Sequence, residues 1–185
     1  MSQVDRQTAF GPIDPRVRIG HVHLKVSDLA RSLDFYCGIL GFELMATYGS
    51  EAAFIGAGGY HHHIGLNTWE SAGGSPPPPG TTGLFHLAVL YPDRAGLGDA
   101  LSRLERAGWP LTGASDHGVS EALYTQDPDL NGVELYRDLP EDEWPREADG
   151  SLIIYTRPLD LAPIRSAAGN SGTDVPGRPV RPSEG

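Results

Sequence analysis

The chain has one cysteine, Cys37, so no disulfide can close within it. It has no run of basic residues. Its 14 Lys and Arg face 24 Asp and Glu, and the net charge of −10 at pH 7 argues against nucleic acid or an anionic membrane surface as a partner. It has no long apolar stretch and no charged-then-apolar leader, so a soluble, cytoplasmic protein is expected. It has no HExxH or other compact metal motif. It does not lack core-forming residues: 39% are hydrophobic and 21% charged, the composition of a globular chain, and 185 residues suit one domain or two small modules sharing a core. Histidine is absent from the first 20 positions and from everything after position 117. His21, His23, His61, His62, His63, His86 and His117 are therefore concentrated, five of them in two segments that read as strands.

Residues 1–17 show no periodicity and read as an arm. Residues 18–26, RIGHVHLKV, alternate as a strand, with Val22, Leu24 and Val26 on one face and His21, His23 and Lys25 on the other. Ser27-Asp28 is a helix N-cap signal, and Leu29, Leu33, Tyr36 and Leu40 follow at helical spacing up to Gly41. Cys37 falls inside this helix, where it serves as a small buried hydrophobe. Residues 42–47, 52–55 and 60–69 read as three further strands, which makes residues 18–69 a βαβββ module. Residues 70–82, ESAGGSPPPPGTT, form a stiff linker. The pattern then recurs over residues 83–138. His21 returns as His86 and Asp28 as Asp93, each 65 positions later, and Gly41-Phe42 as Gly108-Trp109 after 67. A matched order of strand, capped helix, glycine and aromatic points to internal duplication. Residues 139–165 are expected to pack back on the domain, and residues 166–185, rich in Gly, Pro and Ser, to be mobile.

The second module ends in a turn-rich run, DPDLNG, followed by the strand Val133-Glu134-Leu135-Tyr136. Val133 and Leu135 share one face and Glu134 and Tyr136 the other. A mid-strand carboxylate wants a partner. If the modules are related by a pseudo-twofold axis, His21 and His86 face one cavity, and Glu134 reaches the same point. Two imidazoles and a carboxylate leave coordination positions open, a set that suits non-haem Fe(II) and also holds Mn, Zn, Co or Ni. The competing reading is three unrelated residues: two hydrogen-bonded imidazoles and a glutamate in a salt bridge or in solvent.

The segments VHLKVSDLARSLDFYCGILGF, YHHHIGLNTW, GLFHLAVLYPD and DHGVSEALYTQDPDLNGVELYRD resemble the vicinal oxygen chelate superfamily, which includes glyoxalase I, bleomycin-resistance proteins and extradiol ring-cleaving dioxygenases. The similarity covers about residues 18–160 and is to the catechol-2,3-dioxygenase-like branch. It implies an α+β fold in which two βαβββ modules curl into an incomplete barrel around a metal. The family's ligand positions fall on His21, His86 and Glu134, with His23 competing for the first, and the implied cofactor is Fe(II), with Mn, Zn, Ni or Co as substitutes. The family's acid/base histidine maps to the run 61–63, where strand alternation picks His62. Its second active-site histidine maps to His117, and its tyrosine ten residues before the ligand glutamate maps to Tyr124. The implied partners are a catecholic substrate and O₂, in a homodimer. The same scaffold also carries glyoxalase-type isomerases, thiol transferases and metal-free antibiotic-binding proteins. This chain has one module pair where the larger ring-cleaving members have two.

Overall fold

The computed structural model describes residues 11–168. The first module runs β1 (Val22–Lys25), α1 (Leu29–Leu33), β2 (Glu43–Tyr48), β3 (Ala52–Gly56) and β4 (Ile64–Asn67). The second runs β5 (His86–Leu90), α2 (Arg94–Arg106), β6 (Gly113–Asp116), β7 (Ser120–Gln126) and β8 (Gly132–Asp138), followed by β9 (Arg157–Pro158) and α3 (Leu161–Ala167). The duplication seen in the sequence is a duplication of topology. One sheet has the order β1-β4-β3-β2 and the other β5-β8-β7-β6, extended at its far edge by β9. In each sheet the first strand lies parallel to the fourth, β1 on β4 and β5 on β8, and the remaining pairs are antiparallel. In each module the connection between the two parallel strands runs through the helix and the two middle strands.

Both helices begin as their caps predict: Asp28 accepts from the Arg31 backbone N–H, and Asp93 from that of Gly96. α2 buries Leu97, Leu101 and Leu104. α1 departs from the sequence reading after one turn. From Asp34 to Ile39 it widens into a π-helical stretch, with the Leu40 N–H bonded five residues back to the Phe35 carbonyl. Cys37 lies in that stretch, half-buried and free, and burial pushes its thiol pKa up, so it stays a neutral packing group.

One apolar core spans both modules: Val26, Phe35, Tyr36, Ile55 and Leu66 from the first, Leu97, Leu101, Leu123, Val133 and Leu135 from the second, and Ile164 from α3. α3 extends two residues past the boundary expected for a mobile tail. Positions 169–185 lie outside the described residues, as do the first ten of the expected arm. No helix among the described residues is long and apolar enough to cross a membrane.

One ionic clasp holds the elements of the second module together. Glu121 on β7 accepts from Arg94 at the start of α2 and from Arg137 on β8, at 3.1 and 2.6 Å. Burial raises the Glu121 pKa, but hydrogen bonds from Arg94 and Arg137 outweigh it, and the carboxyl sits below its ordinary value. A depressed native pKa contributes stability above the unfolded value, about 4.3 for glutamate, and that contribution disappears as pH falls through the lower native one. The stability gap between wild type and Glu121→Gln should therefore be wide at pH 7 and shrink below about pH 4. Urea unfolding at both pH values checks this, and a pH-independent gap would refute it.

Candidate active site

β1 and β5 each form one edge of their sheet, and together they border a cavity of about 740 Å³. Its walls are largely apolar, with Ile19, Val22, Leu84 and Leu90 among them, and His21 and His86 both open onto it. The sequence strand 18–26 shortens to 22–25, so His21 sits just ahead of β1 and not within it.

The second module supplies a continuous hydrogen-bonded chain. His86, the first residue of β5, places Nε2 2.9 Å from Glu134 Oε2 on the adjoining strand β8. This closeness depends on Gly132, the residue directly opposite His86, where a Cβ would stand 2.3 Å from the Phe85 carbonyl oxygen. Tyr124 on β7 lies directly opposite Glu134 across the hairpin, and its hydroxyl donates to Glu134 Oε1 at 2.9 Å. The ten-residue spacing noticed in the sequence is thus the register of this hairpin around the turn 127–131. His117, in the β6–β7 turn, brings Nε2 within 2.7 Å of the Tyr124 oxygen. Burial, then the hydrogen bond and charge of Glu134, push the Tyr124 pKa upward, so the phenol stays a proton donor. Glu134 is only 12% exposed, yet both its oxygens are engaged.

The first module contributes a cluster of rings. His62 lies against His21, ring centroids 4.4 Å apart, and against Phe54 at 5.1 Å. Its Nδ1 is 2.7 Å from His61 Nδ1. Burial first, then the imidazoles of His21, His61, His23 and His63, hold the His62 pKa below the ordinary value, so its ring is neutral near pH 7. The alternation that singled out His62 does not exist: the strand expected over 60–69 is β4, Ile64–Asn67, and residues 60–63 belong to the turn before it. His63 lines the cavity, with Nδ1 accepting from the Ala57 N–H. His23 packs away from the cavity, between Phe54 and Trp69 at 5.9 and 5.6 Å.

Sequence reasoning missed Tyr155 and Thr156. The Tyr155 carbonyl lies 2.8 Å from His117 Nδ1, and Thr156 Oγ1 lies 3.3 Å from the same atom. Both come from the extension after the second module, and a contact made by a main-chain carbonyl leaves no mark on side-chain pattern.

Of the proposed ligands, His86 and Glu134 meet, while His21 reaches the same cavity from the opposite module. Among the described residues, no three His, Cys, Asp or Glu side chains stand together as a ready metal cluster. The donor chemistry nonetheless fits a divalent cation. A mostly buried carboxylate aims one oxygen at an imidazole nitrogen, and a second imidazole shares the cavity.

This is the arrangement of a duplicated βαβββ protein with a cavity between its modules lined by His21, His63 and His86, the last bonded to Glu134. Residues 18–135 match the Glyoxalase/Bleomycin resistance protein/Dioxygenase superfamily, and the chain belongs to that family. It is 40% identical over 152 residues to a catechol-2,3-dioxygenase of Bacillus subtilis, covering 82% of this chain and 52% of that one. It is 32% identical to a biphenyl-2,3-diol 1,2-dioxygenase of Rhodococcus globerulus, covering 65% and 63%. The chain thus spans between half and two thirds of the length of these curated relatives. Among solved structures, a glyoxalase/dioxygenase from Nostoc punctiforme superposes with a TM-score of 0.57 over 70% of this chain and 98% of its own, at 20% identity, a likeness of fold.

Proposed function

We propose that the chain is an extradiol dioxygenase: it opens the ring of a catecholic aromatic beside the diol, adding both atoms of O₂. His21, His86 and Glu134 would hold Fe(II), with Mn, Zn, Ni or Co able to take its place. The observation that carries this reading is the chain of bonds from His117 through Tyr124 and Glu134 to His86, ending on an apolar cavity. The two relatives, a catechol-2,3-dioxygenase and a biphenyl-2,3-diol 1,2-dioxygenase, support the substrate class.

Bound Fe(II) would acidify the diol and bring it and O₂ into one coordination sphere. The protein's own residues do the rest. The apolar walls receive the ring and exclude water. Tyr124, kept protonated by its surroundings, holds the Glu134 carboxylate in place through its hydroxyl, with His117 on the other side of the same oxygen. The neutral ring of His62 is suited to take a proton from the diol and return it to the opening product. An isomerase or thiol transferase of this fold would want a fourth ligand near the end of the first module, where Asn67 and the run His61 to His63 lie; Asn67 is buried, and its side-chain oxygen accepts from the Trp69 backbone N–H.

Protein loaded with fresh Fe(II) should consume O₂ with catechol, 3- or 4-substituted catechols or a bicyclic diol and give a yellow ring-opened product. No uptake with any of them, in protein shown to hold iron, would move the reading to the isomerase or thiol-transfer activities of the fold. His62→Phe should keep its iron and lose about 10²–10⁴-fold in turnover, the usual worth of a positioned proton carrier. A homodimer belongs to the same reading. Ile19, Leu84 and Phe85 are strongly exposed beside the cavity, Phe85 by 89%, and apolar surface of this kind marks contact sites. A monomer mass by light scattering at micromolar concentration would remove the dimer.

A further inference from the structure

The extension after β8 returns to the site. Tyr155 meets His117 twice: its N–H donates to the His117 carbonyl at 3.3 Å, and its carbonyl lies 2.8 Å from His117 Nδ1. The chain then runs on as β9, pairing Arg157 with Asp116 and Pro158 with Ser115, the residues just before His117. The Tyr155 ring covers Gly118. A Cβ there would stand 2.7 Å from the ring, and Gly118 has φ +78°, so the residue after His117 is glycine on both counts. The Arg157 guanidinium lies 4.0 Å from the centre of the same ring.

We propose that the extension is a positioning element of the active site, in which the Tyr155 carbonyl holds the Nδ1 proton of His117 and thereby presents Nε2 to Tyr124. A carbonyl oxygen only accepts, so the nitrogen facing it must carry hydrogen. That settles the ring's orientation and leaves Nε2 opposite the Tyr124 hydroxyl. Tyr124 has a single hydrogen, which it donates to Glu134 Oε1; with Nδ1 fixed, His117 competes for it at one nitrogen, 2.7 Å from the same oxygen, and in one geometry. Without the strap, the imidazole can flip or change tautomer, and the direction of the Tyr124 hydrogen is no longer set. The rate consequence rests on the dioxygenase reading; the tautomer does not.

The direct test is ¹⁵N NMR of the full chain, metal-free and labelled at histidine. His117 should show a protonated Nδ1 in the wild type. Tyr155→Ala removes the ring that anchors the strap, and Gly118→Ala displaces it from the other side. In both, the Nδ1 signal should move towards an averaged, exchanging tautomer. In iron-loaded protein, kcat should fall about tenfold or more while KM and iron content hold, in the range that outer-shell partners usually contribute. An unprotonated Nδ1 in the wild type overturns the proposal, whether or not the variants fold. So do folded variants with wild-type kcat and an unchanged Nδ1 signal. A wild type that shows the Nδ1 proton but consumes no O₂ supports the positioning assignment and refutes the dioxygenase reading instead.

Discussion

Asp127→Ala should lower the melting temperature of the chain by about 10 °C or more, the largest loss expected from a single residue outside the cavity. Asp127 is 1% exposed and organises the turn between β7 and β8. One of its oxygens accepts from the backbone N–H groups of Asp129 and Asn131, both at 2.9 Å. The other accepts from the Asn131 side chain and from the Tyr36 hydroxyl of the first module, at 2.9 and 3.0 Å. Burial and the negative charges of Asp127 and Asp129 push the Tyr36 pKa up, so the phenol remains a donor. Truncation to alanine orphans four donors in a region with little access to water, at about 1–3 kcal/mol for each one left unpaired. Even partial relaxation leaves a loss of several kcal/mol, against a total stability of about 5–15. Tyr36→Phe removes only one of the four bonds and should cost about 1 kcal/mol. Thermal melts of the two variants side by side decide the matter. An Asp127→Ala loss no larger than that of Tyr36→Phe would show that the turn holds without its carboxylate.

Glu134→Ala should strip the site of both metal retention and turnover. The residue is the proposed ligand that touches the other parts of the site, His86 through one oxygen and Tyr124 through the other. Removing it takes away the one anionic donor and leaves the Tyr124 hydroxyl with His117 alone as its partner. Outer-shell partners of a metal ligand usually contribute about 10–100-fold, which is the loss expected for Tyr124→Phe, and loss of the ligand itself should exceed that. Glu134→Gln separates charge from shape: it keeps the volume and one acceptor, so metal retention should fall while the fold melts as before. Metal content after dialysis, together with O₂ uptake, reads both effects. Full metal occupancy in Glu134→Ala would exclude Glu134 as a ligand.

Much of this was legible in the sequence because it is local or periodic. The Asp28 and Asp93 caps, the leucine face of α2 and the alternation of β8 all formed where expected. The recurrence of His21 as His86 foretold two sheets of the same strand order. The residues that escaped are those whose conformation is set from a distance. β6, with the sequence GASD, lacks a strand's apolar pattern, but is paired on both sides by β7 and β9. Histidine is compatible with a strand, so nothing in residues 61–63 marks them off from the strand expected over 60–69. Only His63 keeps ladder-like bonds there, to Ile55 and Val22, while the His61 and His62 rings turn towards each other. The strap over His117 acts across 38 positions through a main-chain oxygen, which no side-chain pattern records.

The junction between the modules also bears on how the chain folds. Asp129 accepts from the Ser27 backbone N–H and Arg31 reaches the same carboxylate, so the start of α1 is tied to a turn 102 residues away from Ser27. Within each module the strand pairs close over far shorter separations. Contacts at long sequence separation are slow to form because the intervening chain must be ordered first. His21 and His86 lie on opposite sides of this junction, so a cavity bordered by both can appear only once the modules have docked. During refolding, helix and sheet signals should therefore recover before any capacity to bind substrate, and Asp129→Ala should lengthen that interval while leaving the early phase unchanged.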